Sequence, residues 1–333
     1  MKKTLALILA LVMTLSLLAG CGGSDQQDAN EGTNTPAQTE DGSTNTESKT
    51  LKMGFVFNSL DNPIYVNWRQ VSEEYCPKYN FELTYLVSDE DVAKELSNVE
   101  DLLEAGCDVI GLRPADTEAS KAAIELCNKA GVPVFILDAI MDDVNVITQH
   151  ATDNYVAAGI AAQQVIDLLG EKGGKVCILR GIYGLSLEAD RYNGFVDALA
   201  DYSNIKIEAT AFGNFHREDG YTAAEDVLQA CPDVDVIYCE NGEMAVACVN
   251  AVKAAGKDGV VVIGYDGSPD ELALIKDGSL YGCVFQVFNT MVPEMIKEVR
   301  DYMDGKDVPC AVEWSGGFCT LDNYDKYYYE IKN

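Results

Sequence analysis

Val99-Glu100-Asp101-Leu102-Leu103, running into Asp108-Val109-Ile110, returns later in the chain as Ala224-Glu225-Asp226-Val227-Leu228, running into Asp235-Val236-Ile237. In each copy a helix end hands over to a short apolar strand. The rest of the chain repeats that alternation. Apolar runs at 51–57, 81–87, 108–112, 132–137, 175–179, 205–212, 234–239, 260–265 and 280–285 read as strands. Between them lie stretches with apolar residues at helical spacing, such as Val92, Leu96, Val99, Leu102 and Leu103. Strand then helix, repeated, specifies an α/β fold with a parallel sheet. The unbroken apolar runs fit strands that helices cover on both faces. With comparable numbers of βα units on either side of residue 152, the echo predicts two similar lobes rather than one long sheet. Open α/β sheets bind ligands beyond the carboxyl ends of their strands, so two facing lobes would share one cleft.

Ahead of the fold the chain has a different character. Lys2 and Lys3 precede an apolar run from Leu5 to Leu18, and the run ends in Leu18-Ala19-Gly20-Cys21. This is the pattern of an export signal, too short to span a bilayer comfortably. Leu18 to Cys21 looks like the lipobox of bacterial lipoproteins, which implies removal of residues 1–20 and acylation of the Cys21 thiol. Acyl chains hold a soluble domain at a membrane at about 0.8 kcal/mol per buried CH₂. Residues 22–50 are Ser, Thr, Asn, Gln, Gly, Asp and Glu with Ala, Pro and a single Lys, too polar to bury a core. They read as a tether with a root-mean-square span of about 30 Å.

The formal net charge of −30 argues against nucleic acid as a partner. Besides Cys21 the cysteines are Cys76, Cys107, Cys127, Cys177, Cys231, Cys239, Cys248, Cys283, Cys310 and Cys319, and none forms a Cys-x-x-Cys pair. With only two histidines, His150 and His216, a metal cluster has little to draw on. Cys107, Cys177, Cys239 and Cys283 lie in apolar strand-like runs, where a thiol acts as a small hydrophobe, and most of the cysteines read as buried free thiols. Cys310 and Cys319 are the one candidate bridge.

Polar or aromatic side chains stand where the strands stop. In chain order these are Asn58, Asn62 and Tyr65, then Arg113 and Asp116, Asp138, Arg191, Phe215, Asn241, Asp266 and Gln286. Carboxylates and amides bond vicinal hydroxyls in pairs, a guanidinium supplies donors, and aromatic faces cover the C–H side of a sugar ring. Singly, each has an ordinary alternative. An Asp after a strand caps the next helix, and Asn62-Pro63 opens one.

Asn62-Pro63, Arg113-Pro114-Ala115-Asp116, Val134 to Asp138, Ala151-Thr152-Asp153-Asn154, Arg191-Tyr192-Asn193-Gly194-Phe195, Glu240-Asn241-Gly242-Glu243-Met244-Ala245 and Gly264-Tyr265-Asp266-Gly267 stand in a telling order. From about residue 51 to 320 the chain resembles the ribose/galactose-type periplasmic binding proteins, the solute-binding components of sugar ABC importers. The resemblance implies a type I periplasmic-binding-protein fold, with two Rossmann-like lobes and a three-strand hinge. One lobe would comprise 51–152 with 287–315, and the other 153–286 with 316–333. The crossings fall near 151–153, 286–288 and 314–317. Ligand roles carry over to Asn62, Asp138, Arg191, Phe215, Asn241, Asp266 and Gln286; Asn58, Tyr65 and Arg113 complete the expected set. The implied partners are a sugar or polyol and an ABC permease, with no cofactor, no metal and a monomeric state. Glu243 and Asp116 are expected at the rim, facing the permease. The pattern departs from ribose binders at three places. Ala139 stands where an Arg follows the Asp, Arg113 where an Asn precedes the Pro, and Ile64 where one of two Phe stacks. A guanidinium has changed walls, so the ligand's hydroxyl geometry or ring size should differ from ribose.

Other functions find less support. No Gly-x-Ser-x-Gly elbow or phosphate loop is present. Asp138 and Asp266 as a glycosidase pair would need one raised pKa, for which the sequence shows no source. A repressor would carry a DNA-reading helix pair where this chain has its leader and tether. A sensor presenting ligand to a membrane receptor or kinase is the remaining alternative, indistinguishable from transport in the sequence.

Overall fold

The computed structural model describes residues 49–327. The leader, Cys21 and the tether as far as residue 48 lie outside the described residues. The first part of the chain alternates β1 (Leu51–Phe57), α1 (Pro63–Tyr75), β2 (Phe81–Val87), α2 (Val92–Glu104), β3 (Val109–Leu112), α3 (Lys121–Ala130), β4 (Val134–Leu137) and β5 (Gln149–Thr152). The second follows the same plan with α4 (Asn154–Leu169), β6 (Gly174–Arg180), α5 (Ser186–Leu199), β7 (Ile205–Phe212), α6 (Arg217–Ala230), β8 (Val236–Cys239), α7 (Gly242–Ala254), β9 (Val261–Asp266), α8 (Pro269–Lys276) and β10 (Gly282–Phe285). The chain then runs through α9 (Phe288–Met303), β11 (Val312–Trp314) and β12 (Gly317–Thr320).

Two six-stranded sheets result, ordered β11-β5-β4-β3-β1-β2 and β12-β10-β9-β8-β6-β7. The first is parallel throughout, and in the second only the β10–β12 pair is antiparallel. This is the two-lobed α/β architecture that the repeat predicts. β3, β4 and β8 are buried along their whole length, as continuous apolar runs between helix layers must be. β2 and β7, at the sheet edges, each start on a buried residue and then alternate exposed with half-buried ones in part or throughout. Helix starts follow the local chemistry. Asp91 accepts from Ala93 N and Lys94 N at the head of α2, and Ser268 with Glu271 closes a capping box on α8. In the first lobe Trp68 and Phe288, with ring centroids 4.4 Å apart, fill the layer between the sheet and helices α1 and α9.

Three crossings join the sheets. The chain passes from β5 into α4 through Asp153, from β10 into α9 through Gln286-Val287, and from β11 into β12 through Ser315-Gly316. Asp153 N donates to Trp314 O at 3.0 Å, which ties the first crossing to the third.

Three strands do not read as strands in the sequence. β5 is Gln-His-Ala-Thr, yet it is wholly buried because each polar side chain finds a partner outside the strand, two of them far along the chain. Gln149 bonds Met141 N and O, His150 bonds Glu298 at 2.9 Å, and Thr152 bonds Gln286. β11 and β12 are too short to show a period. The candidate Cys310–Cys319 bridge is not formed. Cys319 is a buried free thiol in β12 and Cys310 an exposed one in the loop before β11. The other nine-tenths-buried thiols behave as small hydrophobes; burial alone pushes Cys76 up to about 12.

Candidate functional site

The carboxyl ends of both sheets open on one cavity of about 670 Å³, room for roughly twenty waters. Asn58, Asn62, Tyr65, Arg113, Asp138, Arg191, Phe215, Asn241, Asp266 and Gln286 all line it. Asp116 does not. It lines a smaller neighbouring cavity, where its Oδ1 accepts from Glu118 N and Ala119 N and so turns the chain toward α3. Glu243 lines the main cavity, but Arg217 takes its carboxylate at 2.9 and 2.7 Å, so it offers no free charge at the rim.

On the first lobe, β3 delivers Arg113 and β4 delivers Asp138. Arg113 Nε and Nη2 donate to one oxygen of Asp138 at 3.2 and 2.9 Å. Nη2 also donates to Tyr65 OH at 3.0 Å, and Nη1 to Pro114 O at 2.9 Å. The guanidinium missing at Ala139 is thus supplied to the same carboxylate from the neighbouring strand. Tyr65 is one turn into α1 and packs edge-on to Trp68, with centroids 4.9 Å apart. Burial pushes its phenol up to about 12, so it keeps its proton while accepting from Arg113. Asn62 caps α1 through Ile64 N at 3.0 Å and also lines the cavity. Asn58 Oδ1 is buried without a hydrogen-bond partner.

On the second lobe, Arg191 comes from the middle of α5 rather than from a strand end, which corrects the placement read from the sequence. Its Nε donates to Asn154 Oδ1 at 2.8 Å, its Nη1 to Glu240 O at 2.5 Å, and its guanidinium lies 3.8 Å from the Tyr265 ring centroid. Asp266 ends β9; its Oδ2 accepts from Gly242 N at 3.0 Å and its Oδ1 from Gln286 Nε2 at 2.8 Å. Arg191 Nη1 stands 3.8 Å from Asp266 Oδ1. Burial, outweighing Arg191 and the two hydrogen bonds, raises the Asp266 carboxyl to about 6. A raised carboxyl therefore exists, contrary to the sequence reading, and its source is the cavity wall itself. Asn241 Oδ1 caps α7 through Met244 N at 3.0 Å, and its Nδ2 donates to Phe215 O at 2.9 Å, which fixes the backbone beneath the aromatic ring.

Two features set this surface apart from ordinary packing. Four buried charges face one cavity, although apolar residues of the same volume commonly stabilise a fold as well or better. Glu90, Asp138, Phe215 and Asp266 all line the cavity with positive φ, at 61°, 66°, 60° and 112°. Such backbone costs on the order of 1–3 kcal/mol each and collects at functional sites. The sequence reading missed Trp68, Glu90, His216 and Arg217. Trp68 lies three residues beyond Tyr65 on the same helix face, a spacing that signals it. The other three sit in loops or at a helix start with no periodic cue. Among the described residues no group of three metal-ligating side chains occurs.

Two α/β lobes joined by three crossings around a polar, aromatic-walled cavity define a bilobal solute-binding protein. A periplasmic binding protein domain matches residues 53–307, and the chain belongs to that family. It is 33% identical over 313 residues to the ribose import binding protein RbsB of Bacillus subtilis, covering 92% of this chain and 95% of the relative. Against the D-apiose import binding protein of Paraburkholderia graminis it is 28% identical over 251 residues, covering 74% of this chain and 78% of the relative. The solved structure of an ABC transporter periplasmic solute binding protein from Actinobacillus succinogenes 130z, with bound D-allose, superposes with a TM-score of 0.79 at 25% identity. That match covers 83% of this chain and 100% of the other. These relatives are binding components of importers, not enzymes.

Proposed function

We propose that this chain captures a sugar or polyol between its lobes and delivers it to an ABC importer, acting as a monomer without a cofactor. The lobes are 51–152 with 287–315 and 153–286 with 316–333. Asn58, Asn62, Tyr65, Arg113 and Asp138 form one wall of the ligand site. Arg191, Phe215, Asn241 and Asp266 form the other, with Gln286 at the crossing. Cys21 carries the lipid that keeps the domain at the outer face of the membrane. One observation carries the reading: a charged and aromatic set drawn from both sheets converges on a single cavity. Carboxylate and guanidinium on each wall, with Tyr65 and Phe215, match the hydroxyl and C–H faces of a sugar. A ligand touching both walls favours the closed arrangement by its differential affinity.

The test is a thermal-shift panel of pentoses, hexoses and polyols on the mature domain. The melting temperature should rise with concentration of at least one of them, and the radius of gyration should fall at saturation. A shift with amino acids, nucleosides or peptides alone refutes the ligand class. Release of a Cys21→Ala variant into the medium tests the anchor.

A further inference from the structure

The two charged groups on the second wall present a physical puzzle. Arg191 and Asp266 are 5% and 4% exposed and stand 3.8 Å apart, with little water to screen their attraction. Free to move, they would close into a direct ion pair and spend their hydrogen bonds on each other. Glu240 O holds Arg191 Nη1 at 2.5 Å, and residues at the first crossing between the lobes fix the rest of the arrangement. Thr152 Oγ1 donates to Gln286 Oε1 at 2.5 Å. This fixes which end of the Gln286 amide points at Asp266, so that Nε2 donates to Oδ1 at 2.8 Å. Two residues on, Asn154 Oδ1 accepts from Arg191 Nε at 2.8 Å and from Tyr265 OH at 2.9 Å, while its own Nδ2 donates to Thr152 O at 3.1 Å. Thr152 is 3% exposed and Gln286 4%, so water does not readily replace these bonds.

We propose that Thr152 and Asn154 are positioning residues, which hold Asp266 and Arg191 apart and oriented so that both can bond the ligand. Each Asp266 oxygen then accepts one protein hydrogen bond and keeps a lone pair for a ligand hydroxyl. The wall is preorganised, and binding need not break an ion pair first. Because the two residues flank Asp153, at the point where the chain leaves the first sheet, hinge motion and the geometry of the charged pair are mechanically coupled. The proposal rests on the reading of the cavity as a sugar site, and its test separates the two.

The two residues act on Asp266 in opposite senses. Gln286 and Arg191 both lower its pKa from where burial alone would put it. In Thr152→Val the amide loses its fixed orientation and donates less, so the Asp266 midpoint moves up. In Asn154→Ala Arg191 loses its Nε anchor and keeps only the Nη1 bond to Glu240 O, so it shifts toward the carboxylate and the midpoint moves down. Carboxyl ¹³C NMR titration of the ligand-free mature protein reads both shifts. Isothermal titration with D-ribose, D-allose and xylitol should show affinity lower by roughly two- to tenfold per lost hydrogen bond. Thr152→Ser should restore both readouts. Opposite shifts with lowered affinity support the proposal. Shifts of one sign, or no shift in either variant, overturn it, as does unchanged affinity in a protein whose native form binds a probe. Opposite shifts in a native chain that binds none of the three leave the positioning intact and count against the sugar reading.

Discussion

Replacing Arg113 with Met tests whether the first wall is built for ligand or for stability. The Arg113 and Asp138 side chains are 9% and 8% exposed, and the guanidinium makes bonds to Asp138, Tyr65 and Pro114 O. Met keeps the volume and the stem but leaves a buried carboxylate without its counter-charge. Breaking such a pair from one side costs about 3–5 kcal/mol. At roughly 2 °C per kcal/mol for a chain of this size, the melting temperature should fall by about 6–10 °C. Neutralising the survivor should restore most of the loss, since a buried pair removed as a unit is nearly neutral. Asn is the right second substitution. Asp138 sits at φ 66°, where Asn is tolerated and an apolar side chain would add strain. Arg113→Met/Asp138→Asn should therefore melt close to the native chain while binding sugar no better than the single variant. Thermal melts of the four proteins at pH 7.5, with and without ligand, make the measurement. A single variant within about 1 kcal/mol of native, or a double variant no more stable than the single, refutes the account of a costly pair kept for its ligand.

Two further outcomes follow from the second wall. With its folded pKa raised to about 6 above an ordinary 3.8, Asp266 favours the fold most at low pH, and that contribution is lost as pH rises toward 6; ligand affinity should run the opposite way, falling as pH drops through about 6 because the ionised acceptor is lost, and titration calorimetry from pH 5 to 8 showing flat affinity would contradict it. A Cβ at Gly181 would lie 1.9 Å from the Phe215 ring; Gly181→Ala should push that ring into the cavity and weaken sugar binding by about tenfold, the worth of one good aromatic contact, and unchanged affinity would remove Phe215 from the site.

Much of this architecture was legible because burial on both faces leaves a strand no choice but an apolar run. Where the run stops, the chain reaches the cleft, so Arg113, Asp138 and Asp266 announce themselves. The polar strand β5 was not legible as a strand. Gln149, His150 and Thr152 are stabilised by Met141, Glu298 and Gln286, and two of those partners lie far along the chain. Local sequence carries no trace of a bond to a residue so distant. For the same reason nothing local marked Asn154 as the acceptor for Arg191, whose own position inside α5 no strand-end rule could locate. The charge state of Asp266 was illegible too, since it depends on burial and on groups from separate loops and helices.

The backbone strain explains why these residue types stand at these places. A chain leaving a parallel strand to start a helix must turn sharply, and a left-handed residue turns it while aiming the side chain outward from the strand ends. Asp tolerates that conformation better than most residues because its side chain is short and polar. At Asp138 and Asp266 the conformation and the chemistry therefore select the same residue, which is why a capping reading and a binding reading coexist in the sequence. Phe215 separates the two. A bulky aromatic at φ 60° has no local bond to offset the strain, and a polar residue there would serve the turn better. Its neighbours are arranged to keep it all the same. Gly181 has no Cβ where the ring lies, and Asn241 bonds its carbonyl from below. On the proposed function, a fold that leaves this space and adds this bond to hold a strained aromatic over the cavity keeps the ring for the C–H face of a sugar.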